Sequence, residues 1–299
     1  MNNTPVNAWL VIDKPKGMTS AQVVGRVRRL TGTKKVGHAG TLDPLATGVL
    51  PIALGEATKT VAYAMEDRKS YRFELTFGEN RETDDAEGTV TATSSVRPSL
   101  TQLQSIIPDF IGAIQQVPPA YSAIKVQGKR AYALARAGKV VQLTSREVMI
   151  YRCDLLTYDG ERATFEVDCG KGTYIRSLAR DIAGKVGACG YVSDLRRIMV
   201  GKFLEKDAIS LDKLEEIVHN PRPNAAFKPV DWVLDDILGL VISSEQVSRI
   251  RQGQQVFVGD FCENSHGEKV VVKTEAGGEL IALGTVEDGM LKPARVFNI

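Results

Sequence analysis

The stretch Gly37-His38-Ala39-Gly40-Thr41-Leu42-Asp43-Pro44-Leu45-Ala46-Thr47-Gly48-Val49-Leu50-Pro51 breaks the regular patterning on both sides of it. With Gly55 added, residues 36–59 hold four glycines and two prolines and few charges at the centre, so the segment reads as a long, ordered loop. Asp43 stands in the middle of it, directly before Pro44. An Asp-Pro pair on its own commonly just opens a turn. Here glycines on both sides let the backbone take unusual angles and let a ligand come close. Thr41, Leu42, Leu45 and Val49 give the carboxylate an apolar seat, in which it can serve as a nucleophile or a base.

Regular structure resumes outward from this loop. Upstream, Ala8–Ile12 reads as a short apolar strand. Thr19 and Gln22 have capping-box spacing, Val23, Val24, Val27 and Leu30 follow at helical intervals, and Gly32 ends the helix. Downstream, Tyr71, Phe73, Leu75 and Phe77 alternate as in a strand with one buried face. Residues 78–88 form a polar, acidic loop, and residues 101–111 a helix capped by Thr101. Arg162–Cys169 alternates again, Gly170–Gly172 turns, and Thr173–Val186 is the clearest helix, with Ile175, Leu178, Ala179, Ile182 and Val186 on one face. Leu195–Val200 reads as a strand and Ser210–Val218 as a capped helix. Residues 219–229, with Pro221, Pro223, Pro229, Asn220 and Asn224, read as a linker. Beyond it, a helix over 243–252 precedes short strand-like runs at 256–258, 269–273, 280–286 and 294–297, the pattern of a small barrel-like module.

Composition excludes several classes of function. In 299 residues there is no apolar run long enough to span a membrane, and the N-terminus has no secretory pattern. Cys153, Cys169, Cys189 and Cys262 are scattered, as are His38, His219 and His266, so neither a zinc site nor a disulfide framework is expected. Scattered thiols fit a reducing cytoplasm. The net charge of +2 hides an uneven distribution. Residues 1–60 carry eight Lys/Arg against three Asp/Glu, and residues 121–146 carry six basic residues and no acid. Residues 231–299 carry six against eleven. Basic blocks of this kind bind polyanions when they are more than solvated faces. In residues 121–146, Lys125, Lys129, Arg130, Arg136, Lys139 and Arg146 are interleaved with Tyr121 and Tyr132, a pattern suited to closing over an RNA phosphate backbone as a mobile arm.

Residues Gly37–Lys59 closely resemble the signature of the TruB family, the bacterial tRNA pseudouridine-55 synthases. Three further blocks match in order: Asp13-Lys14-Pro15-Lys16-Gly17-Met18-Thr19-Ser20, then Tyr71-Arg72, then Gly172-Thr173-Tyr174-Ile175-Arg176-Ser177 with Leu195-Arg196-Arg197. The blocks span about two-thirds of the chain. The resemblance implies an α/β (α+β) pseudouridine synthase fold with a long mixed, largely antiparallel sheet. It places a catalytic domain over residues 1–228, with residues 121–146 as a mobile basic arm, and a small C-terminal β-barrel-like PUA domain over 229–299. It implies Asp43 as the catalytic aspartate and Arg176 as the arginine that pairs with it. It makes Tyr71 the tyrosine stacked on the flipped base and Tyr174 a second active-site tyrosine. Leu195 becomes an apolar wall of the uracil pocket, and His38 the histidine that fills space in the T loop. Lys125, Lys129, Arg130, Arg136 and Lys59 are assigned to the RNA backbone. Extruding a uridine from a folded loop requires such a pocket. No cofactor or metal is expected, because the product is an isomer of the substrate. The expected partner is the tRNA T stem-loop, with no guide RNA, no membrane and a monomeric enzyme.

Two features depart from the family pattern. Arg81-Glu82 replaces the Thr-Asp found before Thr83 in many relatives, and little effect is expected. The C-terminal module is acidic, whereas strong general RNA binders are basic. Either a patch of Arg249, Arg251, Lys273 and Lys292 touches RNA, or the module mainly supports the fold. Three rivals stand beside this reading: an RNA-folding factor without chemistry, which the intact set of Asp43, Tyr71 and Arg176 opposes; a guide-RNA-dependent catalytic subunit of the related archaeal and eukaryotic complexes, whose usual extra basic terminal segments are not expected here; and a nucleotide-binding enzyme, for which residues 36–59 offer no phosphate-loop motif.

Overall fold

The computed structural model describes residues 6–66, 68–126, 128–139, 141–219, 225–259, 267–275 and 278–299. The N-terminal residues 1–5, residues 220–224 of the Pro-rich linker (among them Asn220, Pro221, Pro223 and Asn224), Cys262 and His266 lie outside these. A nine-stranded mixed sheet organises the catalytic part. Its main path runs Ala8–Lys14, Thr47–Leu54, Gly190–Val200, Lys69–Phe77, Arg162–Cys169, Arg146–Tyr158 and Gly112–Gln116. Val36–His38 adds to Thr47–Leu54, and Phe203–Leu204 to Gly190–Val200. Every pairing is antiparallel except one short parallel contact, where Arg196 and Arg197 face Thr47 and Gly48. At that contact Gly48 has φ +97°, and a Cβ there would lie 2.2 Å from the Arg197 carbonyl oxygen, so only glycine lets the strands approach.

The patterning of each strand follows from how many of its faces are covered. Along Ala8–Lys14 and Thr47–Leu54 the sequence is apolar nearly throughout, because both faces are buried. Leu10, Ile12, Leu50 and Ile52 join the helices Ser20–Thr31, Ile175–Lys185 and Leu211–His219 in the main core. Each such side chain contributes roughly 1.5–3 kcal/mol by burial. Trp9, Val11, Val49 and Ala53 face the other way, into a second core shared with Val271, Leu280, Leu283 and Phe297 of the C-terminal module. Tyr71–Phe77 alternates because its second face is solvated, and there ion pairs Arg72–Glu166, Arg152–Glu166 and Arg68–Asp168 tie neighbouring strands together.

Residues 36–59 are not one long loop. The loop proper is residues 39–46, and Thr47–Leu54 is a central strand. Pro51 is tolerated because its carbonyl accepts from Ala39. Its missing N–H therefore points to that same side, away from the ladder with Val11. The capped helix downstream begins at Leu100, with Ser99 and Gln102 forming the box in place of Thr101 and Gln104. Two overlapping boxes of equal spacing compete there, and the earlier one follows Pro98 directly. The helix gives way to a 3₁₀ turn, Ile107–Phe110, at Pro108.

The C-terminal module is a five-stranded sheet in the order Leu238–Ile242, Glu268–Thr274, Leu280–Glu287, Met290–Val296, Val256–Phe257. With the helix Ser244–Arg251, capped by Ser243 and Gln246, it encloses its own core of Leu240, Ile250, Val272, Ile281 and Leu291. This is the PUA-like architecture.

Candidate active site

The loop that carries Asp43 is held from below by the N-terminal block. The Ser20 hydroxyl donates to the Leu42 carbonyl (3.0 Å) and accepts from the Leu42 N–H (2.8 Å). Lys14 is fully buried, and its ammonium donates to the carbonyls of Pro15 (2.8 Å), Met18 (2.6 Å) and Pro44 (3.2 Å). Burial lowers its pKa to about 8, against the pull of Asp43. Gly17 N–H also donates to Pro44 O (2.8 Å). Residues 13–20 thus serve the site by fixing the backbone on both sides of Asp43, while Leu42 and Leu45 anchor the loop in the core.

Asp43 faces Arg176, with Oδ2 2.9 Å from Nε. Arg176 is itself only 4% exposed, near the start of the helix Ile175–Lys185. Its Nη1 donates to Thr83 O (2.8 Å) and lies 3.4 Å from Asp85 Oδ2; its Nη2 donates to Tyr121 O (2.9 Å). One guanidinium therefore ties the catalytic loop to the 82–88 turn and to the root of the basic arm. Asp85 is held in turn by Thr83 Oγ1 (2.5 Å) and Glu87 N–H (3.0 Å). Burial pushes the Asp43 carboxyl above the ordinary aspartate range, with Arg176 opposing and Asp85 adding to the rise. Arg176 does favour the charged form, as expected, but burial outweighs it.

Tyr71 belongs both to the main core and to the wall of the cleft, so its structural and functional readings hold together. Burial raises its phenol pKa, and the Arg197 guanidinium opposes the rise. Arg197 is buried and donates to Val49 O (2.7 Å) and Gly40 O (3.0 Å), joining the catalytic loop to the sheet. Leu195 lies on the same cleft wall and is nearly buried. Tyr174 stands before the helix start. Fully buried Gln116 holds its backbone twice, accepting from Tyr174 N–H (2.8 Å) and donating to Tyr174 O (3.1 Å).

Asp43, Tyr71, Tyr174, Arg176, Leu195 and Arg136 therefore line one cleft of about 910 Å³, large enough for a nucleotide. His38 lies just outside the lining, at the end of a strand beside the catalytic loop. Burial and Arg197 lower its pKa, so it is neutral at physiological pH. Lys125, Lys129 and Arg130 form an exposed hairpin at the arm's base, outside the cleft lining. Arg136 follows on the helix Ala131–Arg136, over the Tyr132 ring. Lys59 is not brought to the cleft. Its ammonium pairs with Glu56 (2.5 Å) and donates to Val296 O (2.7 Å), fastening the C-terminal module to the catalytic part. The basic patch considered for the C-terminal module is largely neutralised: Arg251 pairs with Glu279, Lys273 with Asp231 and Lys292 with Glu287. Among the described residues no group of three metal-ligating side chains occurs. Glu82, in the Arg81-Glu82 departure, accepts from the Tyr121 hydroxyl (2.6 Å) and so helps to seat the root of the arm.

Sequence reading did not single out Asp85, Gln116 or Arg197 as site residues. Arg197 stood in a quoted block, while Asp85 and Gln116 sit in stretches whose local pattern says only turn and strand.

This arrangement, an aspartate–arginine pair under a tyrosine and a leucine on a long mixed sheet, is that of a pseudouridine synthase, and comparison with known proteins agrees. Residues 28–175 match the TruB family pseudouridylate synthase (N terminal domain) model, and residues 176–238 the tRNA pseudouridylate synthase B C-terminal domain model. A tRNA pseudouridine synthase B of Bradyrhizobium diazoefficiens is 48% identical over 98% of this chain and 86% of its own length. That of Brucella melitensis is 44% identical over 98% and 96%. Among solved structures, a Cbf5-Nop10-Gar1 complex matches with a TM-score of 0.73 at 25% identity, covering 97% of this chain and 85% of that one. An H/ACA RNP bound to a substrate RNA containing 2'-deoxyuridine shares the fold, with a TM-score of 0.74 at 23% identity over 98% of this chain and 85% of that one. The chain belongs to the TruB family.

Proposed function

We propose that this protein converts the uridine at position 55 of the tRNA T loop to pseudouridine, alone and without a guide RNA. The reading rests on one observation: Asp43, held by buried Arg176, stands in a nucleotide-sized cleft walled by Tyr71 and Leu195. In the reaction the C1′–N1 bond breaks, the uracil turns within the pocket, and a C1′–C5 bond forms. The proton on C5 leaves and N1 gains one, so nothing is consumed. Asp43 acts as nucleophile or base while the glycosidic bond breaks. Tyr71 carries the flipped ring on its face and is the candidate for removing the C5 proton. The basic arm closes over the phosphate backbone, and its engagement also favours the folded T loop. The catalytic part takes residues 1–228 and the PUA-like module 229–299, which through the shared core and Lys59 acts chiefly as a support. We take the enzyme to be a cytoplasmic monomer. Among the described residues no helix is long and apolar enough to cross a membrane.

Tritium release from a T-stem-loop RNA labelled at uracil C5 tests the reading. Release from the position-55 uridine supports it; tight RNA binding without release moves the protein to the class of RNA-folding factors. Neutralising Lys125, Lys129 and Arg130 together is expected to weaken binding and to flatten its salt dependence, by a slope of roughly 0.7–0.9 for each phosphate no longer engaged. An unchanged slope removes the arm from the binding surface.

A further inference from the structure

We propose that Arg146, seated on the Tyr174 ring, is a phosphate subsite that takes a phosphodiester flanking the flipped nucleotide. The inference rests on the pseudouridine synthase reading of the cleft. The Arg146 guanidinium lies 4.9 Å from the centre of the Tyr174 ring, and its Nη2 donates to the Gly172 carbonyl. These contacts fix its plane without neutralising its charge. Arg146 has no carboxylate partner among the described residues, its Nη1 makes no hydrogen bond, and its Nε is buried without an acceptor.

Although the expected arm ran to residue 146, Arg146 opens the strand Arg146–Tyr158 and so stands on the fixed wall of the cleft, where the other two arginines are engaged. Arg176 is matched by Asp43 and Asp85, and Arg197 by two backbone carbonyls. The acidic groups of the cleft come from other elements than Arg146: Asp43 from the catalytic loop, and Asp85 and Glu87 from the 82–88 turn. Glu147, the carboxylate on the Arg146 wall, forms no ion pair with it. A nucleotide with its uracil against Tyr71 and Leu195 must carry its phosphates away from those acids, and the Arg146 wall is where a planar, uncompensated fork of donors meets them. Tyr174 is clamped by Gln116 two residues before Arg176, so the subsite has a fixed relation to the reacting carboxylate. A phosphate held there orients the sugar toward Asp43.

The test pairs a protein change with a substrate change. T-stem-loop RNAs carry a neutral methylphosphonate at the phosphate either 5′ or 3′ of the target uridine, and binding is measured to wild type, Arg146→Met and Arg146→Lys. The Met variant is expected to lose roughly ten- to a hundredfold in affinity for unmodified RNA. One of the two methylphosphonates should cost the wild type a similar factor, yet cost Arg146→Met almost nothing more. Arg146→Lys should recover part of the loss, which a merely structural role would not allow. If the two losses multiply at both phosphates, or if neither change weakens binding, the subsite is overturned. Tritium release by the wild type from unmodified RNA is scored separately, so failure of the enzyme reading is distinct from failure of the subsite.

Discussion

Asp43→Asn is expected to abolish tritium release, with a loss on the order of 10⁴-fold or more, while RNA affinity stays within a few-fold of wild type. A nucleophile or base removed from a site has no substitute among neutral amides. The swap should leave the architecture intact. The loop is held by Ser20 on the Leu42 backbone and by Lys14 and Gly17 on the Pro44 carbonyl, none of which uses the Asp43 side chain. Arg176 keeps Asp85 at 3.4 Å, so no cation is stranded in the interior. On the proposed reading binding rests on the arm and on the cleft walls, and the near-isosteric amide leaves the rest of that lining in place. Single-turnover release and filter binding on the same variant separate the two quantities. Residual turnover within tenfold of wild type would shift the role to another carboxylate, and Asp85, buried on the same guanidinium, would be the next to replace.

Much of this site was legible in the chain because its parts depend on local backbone chemistry. The Thr19–Gln22 box, Gly32 in the left-handed region and the run from Ile175 to Ile182 each announce themselves within a dozen residues, and the structure has them all. The catalytic loop is legible for the same reason, since Gly40 marks backbone in the left-handed half of φ that favours glycine. What stayed hidden depends on distant partners. Thr47–Leu54 looked like loop because Gly48 and Pro51 are strand breakers on their own, and only the fold sets the Arg197 backbone against Gly48 and the Ala39 N–H on the Pro51 carbonyl. The longest strand, Arg146–Tyr158, lacks clean alternation because two irregularities, after Ile150 and after Leu155, shift its register against Arg162–Cys169. Lys59 reads as one more basic residue until the C-terminus folds back and offers it the Val296 carbonyl. Gln116 looks like an ordinary strand end, and only the fold sets it against the Tyr174 backbone.

Arg176 is the residue on which these distant contacts converge, and its removal should be nearly as damaging as removal of Asp43, for a different reason. In the wild type the raised carboxyl pKa of Asp43 has a definite consequence. The ionised, active form is present above that pKa and is lost as pH falls through it, so the acid limb of kcat should lie above the range of a free aspartate. Arg176→Met takes away the one opposing charge that, among the described residues, pairs directly with Asp43, and leaves the carboxyl near Asp85 in the same cleft. Both the burial and the like charge then act in one direction, so the acid limb should move further up and kcat fall about 10³-fold near neutrality. Stability should fall as well, by roughly 3–5 kcal/mol, because buried Asp85 loses its cation and the carbonyls of Thr83 and Tyr121 lose their donors. Arg176→Lys should restore part of the stability and little of the activity, since one ammonium cannot reach Asp43, Thr83 and Tyr121 from a single position. A pH profile for Arg176→Met that overlays the wild type would show that the pair is structural only, and that the carboxylate is held in its reactive state by something other than this guanidinium.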